Sequence, residues 1–315
     1  MGDTLMNLSA IRVLRQSYPK SWICLLADQS VAPLFRDHPD LDEVMSLDFK
    51  LFCRKPAYFF QILKKVKFAK FDLAVVSNAH KFLHALVFLA GIRRRAGYAR
   101  KWSFLLNKKI ADDKERASRH EMESNVALVK QVCVRDWDGH WEFPADSSAV
   151  LRIQERLNIL PISEKGIVVI HAGSSNPAKR WPAERFAAVA DWGLEKGFSV
   201  LLIGGVEEKE VSLAVIQKIK DRVHDWTGQL SLEELTALFH DPRARALVSV
   251  DSGPVHVAWL SGTPVAALYA ENVPGSHPSR WGPRDGKSEV IYKPMSDISV
   301  EEACKSLRVI LNEPA

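Results

Sequence analysis

The sequence predicts an α/β protein of two domains, each a doubly wound parallel sheet. Short apolar runs alternate with stretches of helical periodicity along the whole chain, the pattern of repeated β-α-β units. The alternation loosens once, around residues 144–165, where proline-flanked polar sequence with one short helix reads as a linker. The chain has 315 residues, more than a single core usually fills. The expected domains are therefore residues 1–150 and 151–315.

Residues 5–18 carry apolar side chains at helical spacing. WICLLA at 22–27 reads as a buried strand, 31–35 as a short helix and 43–47 as a strand. A helix with a basic face follows at 57–67, then the strand DLAVVS at 72–77 and a helix at 81–90. A charged, irregular stretch at 108–121 leads into a helix over 122–132. In the second domain GIVVIH at 166–171 is a strand, 182–196 a helix, SVLLI at 199–203 a strand and 209–220 a helix. Residues 231–240 form a helix opened by Ser231, with Glu234 at the spacing of a capping box. ALVSV at 246–250 is a strand, 254–261 a helix, VAAL at 265–268 a strand and 300–311 the last helix.

An alternating domain normally opens with the strand at the centre of its sheet, whereas MGDTLMNLSAIRVL begins with a turn and a helix. The expectation is a first domain without its first strand. A truncated or mis-started gene product is favoured, because dispensing with a central strand leaves two neighbours with unpaired ladder groups.

Hydrophobic residues make up 47% and charged residues 26%, which suits a folded soluble protein and excludes disorder. The four cysteines, Cys24, Cys53, Cys133 and Cys304, form no CxxC pair and follow no signal peptide, so reduced thiols in the cytoplasm are expected. The longest apolar run, 82–92, is broken by His84 and is too short to span a bilayer. The net charge of +5 divides unevenly: residues 1–150 hold 24 Lys/Arg against 17 Asp/Glu, and residues 151–315 hold 19 against 21. A basic first domain points to an anionic partner.

Two segments of the second domain carry the strongest chemical signal. HAGSSNPAKRWP at 171–182 and VSVDSGPVHVAW at 248–259 each run from an apolar strand into a turn containing glycine and hydroxyls, then into a basic cluster or a helix start. Unpaired amides at a helix start, with glycine allowing close approach, make a seat for phosphate. Two such seats suggest a nucleotide or nucleotide-sugar site.

In the first domain, residues 50–71 interleave Lys55, Lys64, Lys65 and Lys67 with aromatic and aliphatic side chains. Arg93, Arg94 and Arg95, with Arg100 and Lys101, extend the basic area. Such a stretch suits a membrane surface or a phosphorylated, lipid-linked acceptor, or simply a solvated helix face. No motif for binding nucleic acid accompanies the charge. No metal is expected: His80 and His84 lack the glutamate of HExxH, and the pairs Asp40/Asp42 and Asp136/Asp138 lie in loops away from the phosphate seats.

The ordered set Gly2-Asp3, GIRRRAG at 91–97, HAGSSNPAKRWP, LLIGGVEEKE at 201–210, TGQLSLEEL at 227–235, VSVDSGPVHVAW and GTPVAALY at 262–269 resembles glycosyltransferase family 9, the bacterial heptosyltransferases of the lipopolysaccharide inner core. The resemblance covers nearly the whole chain apart from a first strand. It implies a GT-B fold of two Rossmann-like domains facing a central cleft, with the acceptor on the first and an ADP-heptose-type donor on the second. It also implies inverting transfer with neither metal nor cofactor beyond the donor. An anionic lipid-linked glycan would be the acceptor, met at the inner face of the inner membrane.

Carried over by position, Asp3 matches the carboxylate expected to act as general base, although aspartate at a helix start also serves as a cap. Lys179 matches the lysine that binds the donor diphosphate, where a fixed cation stabilises the departing charge. Ser174, with Ser175 beside it, matches a phosphate-binding hydroxyl, or serves the turn alone. Asp251, Ser252, Gly253 and His256 fall on the family's D-[TS]-G-x-x-H turn. Ser252 and Gly253 amides would meet phosphate there, His256 would touch phosphate or orient the loop, and Asp251 would be structural or touch the sugar. Glu208 aligns with the glutamate that binds the ribose, with Glu207 and Glu210 as alternatives, and Leu230 lies where relatives pack near the base. The loop at 271–285 is expected to take part in sugar recognition.

Two other functions fit the same donor fold. One is a catalytically impaired relative that binds nucleotide-sugar, and the other is a GT-B nucleotide-sugar epimerase or hydrolase, against which the basic first domain weighs.

Overall fold

The computed structural model describes residues 1–113 and 119–314 and divides into two compact units, Met1–Phe143 and Pro144–Ala315. Part of the charged stretch expected at 108–121 thus lies outside the described residues. The division falls at Phe143/Pro144 rather than at residue 150, and the difference has a local cause. Asp146 caps a helix of thirteen residues, its carboxylate accepting from the Ala149 amide at 2.7 Å. That helix packs against the second unit, so the supposed linker belongs to that unit's core.

The first unit opens with α1 (Gly2–Leu5) and α2 (Leu8–Ser17), two helices where one was expected. The break is at Asn7, whose side-chain amide donates to the Asp3 carbonyl at 2.8 Å, a local bond that competes with continuation of the helix. β1 (Cys24–Asp28) and β2 (Glu43–Leu47) then pair in parallel. α3 (Phe49–Arg54) and α4 (Pro56–Phe68) are separated at Lys55, held extended at φ −115°, ψ 104°. The proline ring disfavours helical geometry in the residue before it. β3 (Leu73–Val76), α5 (Lys81–Leu89), β4 (Arg94–Tyr98), β5 (Lys108–Ile110) and α6 (Glu121–Val129) complete the unit. β3, β4 and β5 form a second parallel sheet. β4 and β5 are additions to the expected elements. β4 fits because Gly97 leaves room: a Cβ there would stand 2.5 Å from Leu106 Cδ1.

The second unit begins with α7 (Ser147–Ile159) and alternates through β6 (Ile167–His171), α8 (Ala183–Glu195), β7 (Ser199–Leu202), α9 (Lys209–Ile216), β8 (His224–Asp225), α10 (Leu232–His240) and β9 (Ala244–Val250). It continues with α11 (Gly253–Ser261), β10 (Val265–Ala270), α12 (Pro278–Trp281), β11 (Glu289–Lys293) and α13 (Val300–Leu311). All its strands are parallel, in the order β11-β10-β9-β6-β7-β8. β6 is buried along its whole length, which is why it reads as an unbroken apolar run rather than an alternating one. Trp181, Phe186, Val189 and Leu307 pack over this sheet. Removing a side chain as large and as buried as Phe186 costs about 3–5 kcal/mol.

The two units differ at the centre of their sheets. By chain order, β1 and β2 correspond to β7 and β8, and β3, β4 and β5 to β9, β10 and β11. The position that β6 fills has no counterpart among the described residues of the first unit, where β1–β2 and β3–β4–β5 remain separate sheets. Burial follows the pairing. β7 is buried throughout and β9 everywhere except Arg245, whereas β1 and β3 are mostly half-buried.

Candidate active site

Ligands of parallel α/β sheets sit beyond the carboxyl ends of the strands. In the second unit β6 ends at His171, β7 at Leu202 and β9 at Val250. The segments that leave these three neighbouring ends, loops and the first turn of α11, carry all the donor-side residues expected from the sequence except Leu230, which is half-buried just ahead of α10.

The loop after β6 is built by its own polar side chains. Ser174 is buried, and its hydroxyl accepts from the Asn176 amide at 3.2 Å. Asn176 in turn caps the 3-10 turn Pro177–Lys179, accepting from Ala178 N at 3.1 Å. Ser174 thus does turn work here, while Ser175 is exposed. The turn is anchored downstream by Trp181, whose indole donates to the Ile298 carbonyl at 3.0 Å. The anchored loop delivers Lys179 to Asp251: Nζ to Oδ2 is 2.6 Å. Arg180 turns away, its Nε donating to the Ser174 carbonyl at 3.0 Å.

The second loop leads from β9 into α11. Asp251 is buried, and the oxygen that receives Lys179 also accepts the Ser276 hydroxyl at 2.7 Å. Ser252 is the N-cap residue of α11, yet no side chain caps the helix. Its hydroxyl instead points back to Ser249 Oγ at 3.1 Å and to His171 Nδ1 at 3.2 Å. With Gly253 at the first position and proline next, the start of α11 presents backbone N–H groups that suit an anion. His256 is buried one turn in, its ring 6.0 Å from that of Trp281.

Glu208 closes the third side. Its carboxylate accepts from Gly205 N at 2.7 Å and faces His171 Nε2 at 3.0 Å. It lies over the backbone of Gly173, where a Cβ would stand 2.0 Å from Oε1. Burial alone would raise its pKa, but the hydrogen bond to His171, the Gly205 amide and Arg180 outweigh burial and hold it below the ordinary range.

In the first unit Asp3 lies inside α1, exposed, with Met1 as the N-cap residue and no side-chain cap bond. The capping role weighed for it is not what its side chain does. The basic residues separate into groups. Lys64, Lys65 and Lys67 are exposed on the last turns of α4. Arg93 and Arg94 lie at the amino end of β4, in register with the amino end of β3. Lys55 is at the opposite end of α4, about 14 Å away at 1.5 Å per residue. Arg94 donates to the Val132 carbonyl at 3.2 Å while remaining exposed, and half-buried Arg95 donates to the Leu105 carbonyl at 2.8 Å, so both also brace their own unit.

The family model "Glycosyltransferase family 9 (heptosyltransferase)" matches residues 59–307. The chain belongs to glycosyltransferase family 9. It is a glycosyltransferase, and it is similar to lipooligosaccharide heptosyltransferase 2 of Haemophilus ducreyi, 27% identical over 299 residues that cover 88% of this chain and 83% of that one. Among solved structures, the family 9 glycosyltransferase from Veillonella parvula shares its fold at a TM-score of 0.86 and 22% identity, over 99% of this chain and 94% of that chain. ADP-heptose lps heptosyltransferase II of E. coli does so at 0.82 and 22%, over 99% and 96%. The fold of this glycosyltransferase is accordingly GT-B.

Three features of the glycosyltransferase escaped sequence reasoning. His171 ends an apolar strand and reads as core, although its place before a glycine-serine turn at a carboxyl strand end was a usable signal. Ser276 sits in the 271–285 loop with nothing local to mark it. His80, Lys81, Lys101 and Trp102 come together after β3 and β4, with Lys81 Nζ 5.8 Å from the Trp102 ring centre and both lysines, after burial, lowering the His80 pKa. No motif could have joined them. Among the described residues no three His, Cys, Asp or Glu side chains gather as a metal site, and no helix is long and apolar enough to cross a membrane.

Proposed function

We propose that this glycosyltransferase moves a heptose, or a related sugar, from a nucleotide-sugar such as ADP-heptose to a lipopolysaccharide core or similar lipid-linked glycan, with inversion and without a metal ion. One observation carries the proposal: a lysine fixed on Asp251 immediately before the uncapped start of α11. A diphosphate leaving group gains charge as the glycosidic bond lengthens, and a preorganised cation beside helix amides stabilises that gain.

The acceptor hydroxyl oxygen attacks the anomeric carbon and loses its proton to Asp3. The bond from that carbon to the diphosphate breaks, and its electron pair stays on the phosphate oxygen facing Lys179. A single displacement inverts the anomeric centre. Glu208 takes the ribose hydroxyls, Leu230 packs near the base, and the Ser252 and Gly253 amides hold the diphosphate. The names of the relatives, which are heptosyltransferases of lipooligosaccharide and lipopolysaccharide, support the donor and acceptor classes.

The amino edge of β3 and β4 supports contact with the inner face of the bacterial inner membrane by a cytoplasmic protein. Lys64, Lys65 and Lys67 at the end of α4 and Arg93 just ahead of β4 are exposed, as are the side chains of Phe68, Phe88 and Leu89. Exposed basic and apolar side chains together suit an anionic lipid surface.

The test is ADP release from ADP-heptose with and without a truncated core lipid. Release that requires the lipid and is lost in Asp3→Ala supports the proposal. Release without acceptor favours a hydrolase, and ADP binding without turnover favours an impaired relative.

A further inference from the structure

We propose that His171 is a positioning residue that ties the ribose carboxylate, Glu208, to the diphosphate turn at Ser252, so that both ends of the nucleotide are set by one imidazole. The proposal rests on the donor site described above. The side chain of His171 is 3% exposed and reaches groups on three elements. Nε2 is 3.0 Å from Glu208 Oε2, and Nδ1 is 3.0 Å from Ser249 Oγ and 3.2 Å from Ser252 Oγ.

Proton accounting gives this network a direction. An ionised carboxylate only accepts, so the proton of the 3.0 Å contact belongs to Nε2. In the neutral ring Nδ1 is then an acceptor. Ser249 also has the Val250 carbonyl within reach of its hydroxyl at 2.9 Å, so we assign the hydrogen received by Nδ1 to Ser252. The Ser252 hydroxyl is therefore spent on the ring, and phosphate is left to the backbone amides at the start of α11. Glu208, held by His171 and Gly205 N, keeps one oxygen toward Gly173 and fixed in place. Loss of the imidazole frees the carboxylate and the serine together.

A histidine that merely filled space would not affect which part of the nucleotide is recognised. The experiment compares ADP with 2′,3′-dideoxy-ADP, by calorimetry, on the full chain. The wild type is expected to prefer ADP by roughly 10-fold, the scale of hydrogen bonds to a charged group. His171→Leu and Glu208→Ala should each bring that preference close to one, and the double variant should lose no more than either single variant. His171→Gln, whose amide can still donate to Glu208, should retain part of it. Nitrogen NMR of the wild-type ring should find the proton on Nε2, shifting in Glu208→Ala. A preference retained in His171→Leu, losses that multiply in the double variant, or a proton on Nδ1 would overturn the proposal. The placement of the proton in the wild-type ring needs no variant to fold. A wild type that binds no ADP overturns the donor site itself and this inference with it, whereas ADP binding that His171→Leu leaves selective overturns only the latter.

Discussion

Lys179 Nζ stands 2.6 Å from Asp251 Oδ2 across 72 positions of sequence, and the Ser276 hydroxyl completes the seat at 2.7 Å. One ammonium proton is committed to the carboxylate and two remain for a ligand. Lys179→Ala is expected to lower turnover by about 10²–10³-fold and stability by about 1–3 kcal/mol, because Asp251 is left buried with only a serine. Adding Asp251→Asn should restore the stability and not the turnover. Recovery of turnover in the double variant would contradict the role of Lys179.

Gly173 supports Glu208 from beneath, and a Cβ at Gly173 would stand 2.0 Å from Oε1. The obstruction is the end of a flexible side chain, so Gly173→Ala should fold and displace the carboxylate. ADP affinity is expected to fall roughly 10-fold with little change in melting temperature. Calorimetric titration checks it, and unchanged affinity would mean that Glu208 does not meet the nucleotide.

Glu208 also links stability to pH. Its folded-state pKa is depressed, since His171, Gly205 N and Arg180 outweigh burial. A depressed carboxylate stabilises the fold above its unfolded pKa, and the contribution disappears as pH falls through the folded value. Glu208→Gln should therefore be less stable than the wild type near neutrality, and the gap should close as pH falls through the depressed folded value, below the ordinary carboxylate range. Urea midpoints across that range decide it, a constant gap being the contrary result.

The lysines at the end of α4 offer a separate test. Each basic side chain near an anionic lipid surface contributes about 1 kcal/mol. Replacing Lys64, Lys65 and Lys67 together by Gln should weaken binding to phosphatidylglycerol vesicles by roughly 100-fold at low salt. Turnover with a short soluble acceptor should be untouched. Equal vesicle binding by both proteins would place the membrane surface elsewhere.

What could be read from the sequence follows the physics of burial. IVVIH, LVSV and VAAL are legible because central parallel strands are covered on both faces and must be continuously apolar. β5 (KKI) and β8 (HD) are short, charged edge strands, and β4 (RRAGY), central in its sheet, opens on two arginines and contains a glycine, so no apolar run marks any of the three. The same contrast runs through the site. Lys179, Glu208 and Ser252 lie in turns whose glycine, proline and hydroxyl content announces them. His171 acts through partners 37 and 81 positions away, and Ser276 through one 25 away, distances over which a linear pattern carries no signal. Arg95 belongs by sequence to the basic area, and its half-buried guanidinium also bonds the Leu105 carbonyl, a partner that no local pattern announces.

The separate sheets of the first unit set an order of melting. β1 bonds only to β2 and β3 only to β4 among the described residues, so their amides are expected to exchange with solvent through local openings, while those of β6 and β9 wait for the unfolding of their whole unit. Calorimetry should then resolve two transitions instead of one. Between them lies a state in which the second unit is still folded and the first is not, and on the proposed division of labour it should bind ADP without transferring the sugar.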